Sequence, residues 1–275
     1  MEDFATYILS EEDISQKMVI AYYLSKKTGI FFDKSIVLKT EIARIFIDYM
    51  QLDVDKNLVL TACLLANCRK IDNAQKIGKL ETFAEEGARY LETLGFSKRF
   101  CKICEEINRY SGSEPREKES DILEVVDQFV GLILNRVERE AFPVDEALVV
   151  LQERNLKYID NIYLQDFITF VNEIEKIYIK ETIELSVIRK LVNLHNREAN
   201  VKTFIGVLAN KYSEKIDKII EKASKERLNK IVEEENKKNG NKGKGKKSNT
   251  EKVPIFSEDI AKKIMNHESK YKIGG

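Results

Sequence analysis

At 275 residues the chain is long enough to bury a sizeable core without disulfide staples. Its 46 basic residues balance its 46 acidic ones, which argues against a general polyanion binder, and no run reaches the roughly 20 apolar residues of a membrane span. Three prolines, twelve glycines and an abundance of Leu, Ile, Glu and Lys predict an all-α protein, with no alternating strand pattern anywhere.

In chain order, Ile14, Met18, Ala21, Tyr22 and Ser25 set the rhythm of an amphipathic helix over residues 11–27, and Gly29 stops it. Ile36 to Met50 repeats the pattern through Ile42, Ala43, Ile45, Phe46 and Tyr49. Asp53 or Asp55 caps the next helix, whose stretch Leu58–Leu65 is apolar nearly all round and so expected to be buried. Phe83 to Leu94 ends at Gly95. Further helices are predicted at Lys98–Tyr110, Ser120–Arg139, Val144–Arg154 and Asn161–Ile179, with Ser111–Pro115 as a loop.

The character changes after Glu181. Leu208, Tyr212, Ile216, Ile219 or Ile220, Ala223 and Leu228 form a narrow stripe on a heavily charged helix. That stripe suits docking on the main body best, with a coiled-coil or partner-binding seam as the alternative. Residues 237–252 hold seven Lys and one Glu, a local charge of +6, and residues 253–275 add four Lys against three acids. Residues 1–236 therefore carry −7, so the body is mildly acidic. The Lys/Gly/Asn segment is too polar to bury anything and is expected to be a disordered tail, a solvated spacer. It has no aromatic residue for base stacking, so nucleic acid is an unlikely partner. Beyond Pro254, Ile260, Ile264 and Met265 outline a short amphipathic helix suited to docking.

One ordered set of segments is more specific. Asp121–Leu132 is followed by Asn135-Arg136 and by Pro143–Leu148; upstream lie Leu64-Leu65-Ala66-Asn67-Cys68-Arg69-Lys70 and Phe83–Gly87. In this order and spacing the chain resembles the HD-GYP family of the HD phosphohydrolase superfamily over roughly residues 36–178. The resemblance implies an HD-type helical bundle over that stretch, and with the composition and periodicity outside it the chain is expected in five parts: an N-terminal helical segment (1–35), the HD-GYP-like domain (36–178), C-terminal amphipathic helices (179–235), the basic linker (236–253) and a short terminal helix (254–275).

The resemblance also implies ligand positions, and there this sequence departs from the family. The His-Asp pair becomes Ala66 and Asn67; other ligand histidines fall at Leu38 and Phe83; the paired histidines before the GYP loop correspond to Asn108 and Arg109. Asp127 persists, as do the basic positions Lys70 and Arg136. The family reaction uses metal ions to make hydroxide from water and to neutralise the transferring group, and one carboxylate does not hold two such ions. The expectation is a pseudo-enzyme without metal or cofactor, with Asp127 in a structural ion pair with Lys70 or Arg136 rather than kept as a ligand. Retained phosphate binding by Lys70 and Arg136, giving a cyclic dinucleotide sensor without hydrolysis, is the first alternative. A phosphodiesterase with rearranged ligands from Asp127, the cysteines and Glu85, Glu86 or Glu114 is the second.

Cys101-Lys-Ile-Cys104 has zinc-ligand spacing, with Cys63 and Cys68 upstream. Both pairs lie in predicted helices, and Cys63 and Cys68 sit about 140° apart on theirs, so core packing by free thiols is the better reading and a four-thiolate site the alternative. His195 and His267, the chain's two histidines, lack ligand spacing and read as surface or structural. Met1-Glu-Asp-Phe lacks the profile of a secretion signal, so a cytoplasmic protein with reduced cysteines is expected. Partners are expected to be proteins that use the C-terminal helices and tail in a signalling context, with a nucleotide as the alternative.

Overall fold

The computed structural model describes residues 4–70, 83–107, 115–136, 139–155, 161–181 and 186–240. They are all-α, and the single isolated β-bridge among them joins Arg136 and Arg139. Residues Met1–Asn229 form one compact unit and Lys230–Gly275 a second.

The helices are α1 (Phe4–Ser10), α2 (Ile14–Thr28), α3 (Lys34–Met50), α4 (Lys56–Leu65), α5 (Ala84–Thr93), α6 (Lys98–Glu105), α7 (Lys118–Ile133), α8 (Val144–Asn155), α9 (Leu164–Glu181), α10 (Val187–Arg197) and α11 (Val201–Val207). A π-helical turn at Leu208–Ser213 leads into α12 (Glu214–Gly240). Short polar side chains set the starts. Asp13, Asp33, Asp55, Ser97, Ser186 and Asn200 each accept a backbone N–H from the first turn of the helix that follows, satisfying donors that have no partner within the helix. Asp55 thus takes the capping role that the sequence left open between it and Asp53. Gly29 and Gly95 stop α2 and α5 at φ of 73° and 90°, which glycine adopts without a Cβ clash.

The core is organised around α3, in which every residue except Lys34, Ser35 and Asp48 is buried. It packs against α4, α7, α9, α10 and α11. Phe46 of α3 meets Phe167 of α9 edge to face at 5.0 Å, and Phe167 in turn meets Phe129 of α7 at 5.2 Å, so aromatic contacts tie three helices together. A helix enclosed this way must pair any charge it carries, because an unpaired buried charge is expensive. Arg44 does so with both Nε and Nη2 on the Glu41 carboxylate, at 2.9 and 2.7 Å, and with Nη1 on Asp217 of α12.

Several boundaries differ from those read in the sequence. Helix α1, whose Ala5 and Ile8 are buried, was not expected from the pattern. Helix α6 ends at Glu105, and the buried Glu106 carboxylate accepts instead from Ser120 Oγ and the Glu117 N–H. Helix α7 stops at Ile133, short of the expected Arg139, because the chain turns extended at Leu134 and the Arg139 guanidinium takes the freed carbonyls of Gly131 and Leu132. Helix α12 continues to Gly240, into the segment expected to be a disordered linker, on a run of Glu and Lys with good helix propensity. The remainder of that linker and the predicted terminal helix (254–275) lie outside the described residues. No helix among the described residues is long and apolar enough to cross a membrane.

Candidate functional site

Five of the residues singled out by the sequence come together: Asn67, Lys70, Phe83, Asp127 and Arg136. Asp127, in the middle of α7, presents a carboxylate whose Oδ1 accepts from the Asn67 amide at 3.2 Å. Asn67 sits two residues past the end of α4, where the Ala66 N–H still closes on Ala62 and the Lys70 N–H turns back to Asn67. The Phe31 N–H binds the Cys68 carbonyl at 2.8 Å, which holds the α2–α3 loop against this turn. Phe31 and Phe83, the residue before α5, then flank Lys70, whose Nζ lies 5.8 Å from each ring centroid. The Arg136 guanidinium folds back over the last turn of α7, where a Cβ on Gly131 would meet Arg136 Nη2 at 2.2 Å.

Lys39, not anticipated from the sequence, completes the group. Its ammonium donates to Asp127 Oδ1 at 3.0 Å from a side chain only 2% exposed, while the Asp127 side chain keeps 32% of its surface. Asp127 is therefore in an ion pair, with Lys39 as its partner where the sequence pointed to Lys70 or Arg136. The clue was available: Lys39 interrupts the apolar run Ile36-Val37-Leu38 on a helix patterned for complete burial. The resemblance points to Leu38, whereas the cation lies one residue further on.

Electrostatics follow from this arrangement. Burial alone would raise the Asp127 carboxyl, but the charges of Lys39 and Lys70 and the hydrogen bonds from Lys39 and Asn67 outweigh it and hold it below the usual carboxylate range. Burial lowers the Lys70 ammonium; Asp127 pulls it back up, while Lys39 and Arg136 push it further down. The ammonium groups of Lys39 and Lys70 thus both act on the Asp127 carboxylate. The Asn67 Oδ1 atom, on a residue 3% exposed, has no hydrogen-bond partner among the described residues.

This set does not fit a divalent metal ion. Leu38 and Ala66 are buried and donorless, and Phe83 offers a ring. Asn67 turns its N–H toward the carboxylate, and the ammonium of Lys39 occupies the position on Asp127 Oδ1 that a cation would need. Among the described residues no three His, Cys, Asp or Glu side chains are grouped to hold a metal. Asn108, Arg109 and Glu114 lie outside the described residues. Glu85 and Glu86 occupy the first turn of α5, where Glu85 pairs with Arg89 at 3.2 Å.

The other candidates have structural surroundings. All four cysteines are free and buried, and burial pushes the Cys63 thiol up to about 12 and the Cys101 thiol up to about 11, so both stay protonated at neutral pH. His195 packs edge to face on Phe204 at 5.9 Å, and its carbonyl, with that of Glu198, accepts from Lys34 Nζ at 2.7 Å. Lys34 therefore closes the end of α10. His267 lies outside the described residues. Compared with known proteins, the chain matches no family model, no curated protein and no solved structure.

Proposed function

We propose that this chain is a non-hydrolytic regulatory or interaction module, built on a degenerate HD-GYP-like helical domain and acting in signalling. The observation that carries the reading is the 3.0 Å contact between the buried Lys39 ammonium and Asp127. Metal-assisted phosphodiester hydrolysis needs an ion with an open coordination position, at which water loses a proton. An ammonium neutralises the carboxylate but offers no such position. With Leu38, Ala66, Asn67 and Phe83 where the resemblance puts ligands, the lysine acts as a permanent internal counter-ion. Contacts with partner proteins then fall to exposed surfaces, chiefly the second half of α12.

The test combines metal analysis of the purified protein with a cyclic dinucleotide hydrolysis assay in the presence of added manganese, iron or zinc. Substoichiometric metal and no turnover are expected. Stoichiometric transition metal together with turnover overturns the reading.

A second reading, a phosphate-ligand sensor that does not cut, is favoured by two observations. The ammonium groups of Lys39 and Lys70 both lie within electrostatic reach of Asp127, and Asn67 Oδ1 is a buried acceptor with no partner among the described residues. An anion that also carries an N–H or O–H would satisfy both. Thermal shift against a panel of nucleotides and cyclic dinucleotides tests it, and no stabilisation at millimolar ligand removes it.

A further inference from the structure

Helix α1, seven residues long, is too short to hold its shape alone in water, so its order depends on what it rests against. It packs on α2 and α4, buries Ala5 and Ile8, and sets the Phe4 ring edge to face with Phe96 at 6.0 Å. The carbonyls of its last turn have no acceptable partner within the helix, and two of them are met by side chains of its neighbours. Asn57 of α4 donates its amide to the Leu9 carbonyl, and Lys17 Nζ of α2 donates to that of Ile8.

Lys17 is 1% exposed, and among the described residues its amino group has two acceptors. These are the Ile8 carbonyl and, at 3.0 Å, Thr61 Oγ1, whose own hydrogen goes to the Asn57 carbonyl at 2.8 Å. An ammonium has three N–H groups and a neutral amine two, so this seat matches the uncharged form. The titratable groups around it are few. Helix α1 carries only Tyr7, which is 51% exposed. The turn into α2 carries Glu11, Glu12 and Asp13, and α2 ends in Lys26 and Lys27. At the start of α4, Asp55 caps the helix and Lys56 pairs with Asp48 at 2.6 Å. Burial lowers the Lys17 pKa to about 8, with Glu11 and Asp55 opposing that shift through charge alone.

We propose that α1 is a proton-coupled latch: docked, it is matched to an uncharged Lys17, and its release from α2 and α4 takes up a proton on that side chain. Released, the amine meets water and regains its ordinary basicity. Docking is therefore favoured increasingly as pH rises from about 8 toward the ordinary lysine value, and below about 8 the preference levels off at its weakest. The part that opens is α1 alone, because Lys17 and its two acceptors sit where α1, α2 and α4 meet.

Millisecond hydrogen exchange of the full chain between about pH 7 and about pH 10, read by mass spectrometry, tests this. The reporters are the amides of Ile8, Leu9 and Ser10, which bond back within α1. Their protection, corrected for the intrinsic pH dependence of exchange, should rise by about fiftyfold over that range, most of it above pH 8. Low urea should leave it unchanged, since releasing so short a segment exposes little surface, whereas the amides of α3 open only with the whole unit. Lys17→Met should flatten the rise. Asn57→Ala removes the other clasp without touching the lysine, so it should lower protection in α1 at every pH and keep the rise. Protection independent of pH in the native chain overturns the proposal, as does an equal rise in Lys17→Met or an α1 that opens only together with α3.

Discussion

Lys39 on α3 and Asp127 on α7 share a 3.0 Å ion pair, with the lysine enclosed and the carboxylate partly open. The asymmetry decides how each partner responds to mutation. Asp127→Asn strands an enclosed ammonium and should cost about 3 kcal/mol, whereas Lys39→Met leaves a carboxylate that solvent and Lys70 still reach and should cost about 1–2 kcal/mol. Urea unfolding of the two variants and of the double variant measures this. A double variant less destabilised than Asp127→Asn alone is the expected sign of coupling.

The same pair sets an acid limit. The folded-state pKa of Asp127 is depressed, so its contribution is present above the unfolded carboxylate value and lost as pH falls through the folded one. Native protein should therefore lose stability below about pH 4 more steeply than Lys39→Met does, since the variant keeps less of the depression. Parallel acid titration curves for the two proteins would contradict the assignment.

Lys17 gives a pH dependence of opposite character. It is 1% exposed, donates to the Ile8 carbonyl and, at 3.0 Å, to Thr61 Oγ1, and burial lowers its pKa to about 8. Between about pH 8 and the unfolded lysine value the unfolded chain binds the extra proton, so stability rises with pH across that window. Tyr49 and Tyr163 are raised, as are Cys63, Cys101 and Cys104, whose opposing slope begins near the unfolded thiol value of about 8.5. The difference between native protein and Lys17→Met therefore isolates the lysine across that window. Thermal melting of native protein should climb there relative to Lys17→Met, and an equal slope in both would exclude Lys17 as the source.

Arg44 fastens the start of α12 to α3. Arg44→Ala leaves the buried Glu41 carboxylate uncompensated and should cost about 3–4 kcal/mol, while Asp217→Ala, at the exposed end of the same contact, should cost about 1 kcal/mol or less. Hydrogen exchange would locate the effect. Faster exchange in the first turns of α12 is expected in both variants, with global unfolding facilitated only in Arg44→Ala.

Gly131 separates fold from site. A Cβ there meets only the far end of the Arg136 side chain, which can swing aside, and the helix gains up to about 1 kcal/mol from replacing glycine. Gly131→Ala should therefore be neutral or stabilising in urea, yet reduce any stabilisation that anionic ligands give. Marked destabilisation would show instead that the guanidinium has no room to move.

Much of this was legible in residue patterns, for identifiable reasons. The helices at α2, α3, α4 and α8 announce themselves because their periodicity and their stops, such as Gly29, are local. Asn67, Lys70, Asp127 and Arg136 were singled out by ordered spacing along predicted helices, and the turns that follow α4 and α7 bring them near one another. What escaped depends on contacts distant in sequence or space. The end of α7 is set by a guanidinium six residues beyond it, and Lys39 acquires its role only from a carboxylate 88 positions away. The stripe of α12 was expected to rest on the body, and it does through Ile216, Ile220 and Ala223, but Leu228 remains exposed.

The π-helical turn at Leu208–Ser213 works as a phase shifter. In helical projection the buried Phe204, Ile205 and Leu208 point roughly one residue's rotation, about 100°, away from the direction that Ile216, Ile220 and Ala223 would share on an unbroken α-helix. The wider turn accommodates one additional residue and so brings both groups inward. Shortening this joint by a single residue would return regular winding and rotate the following helix by that angle, taking Ile216 and Ile220 out of register with the core. Length at this joint is therefore constrained more tightly than the identity of its side chains.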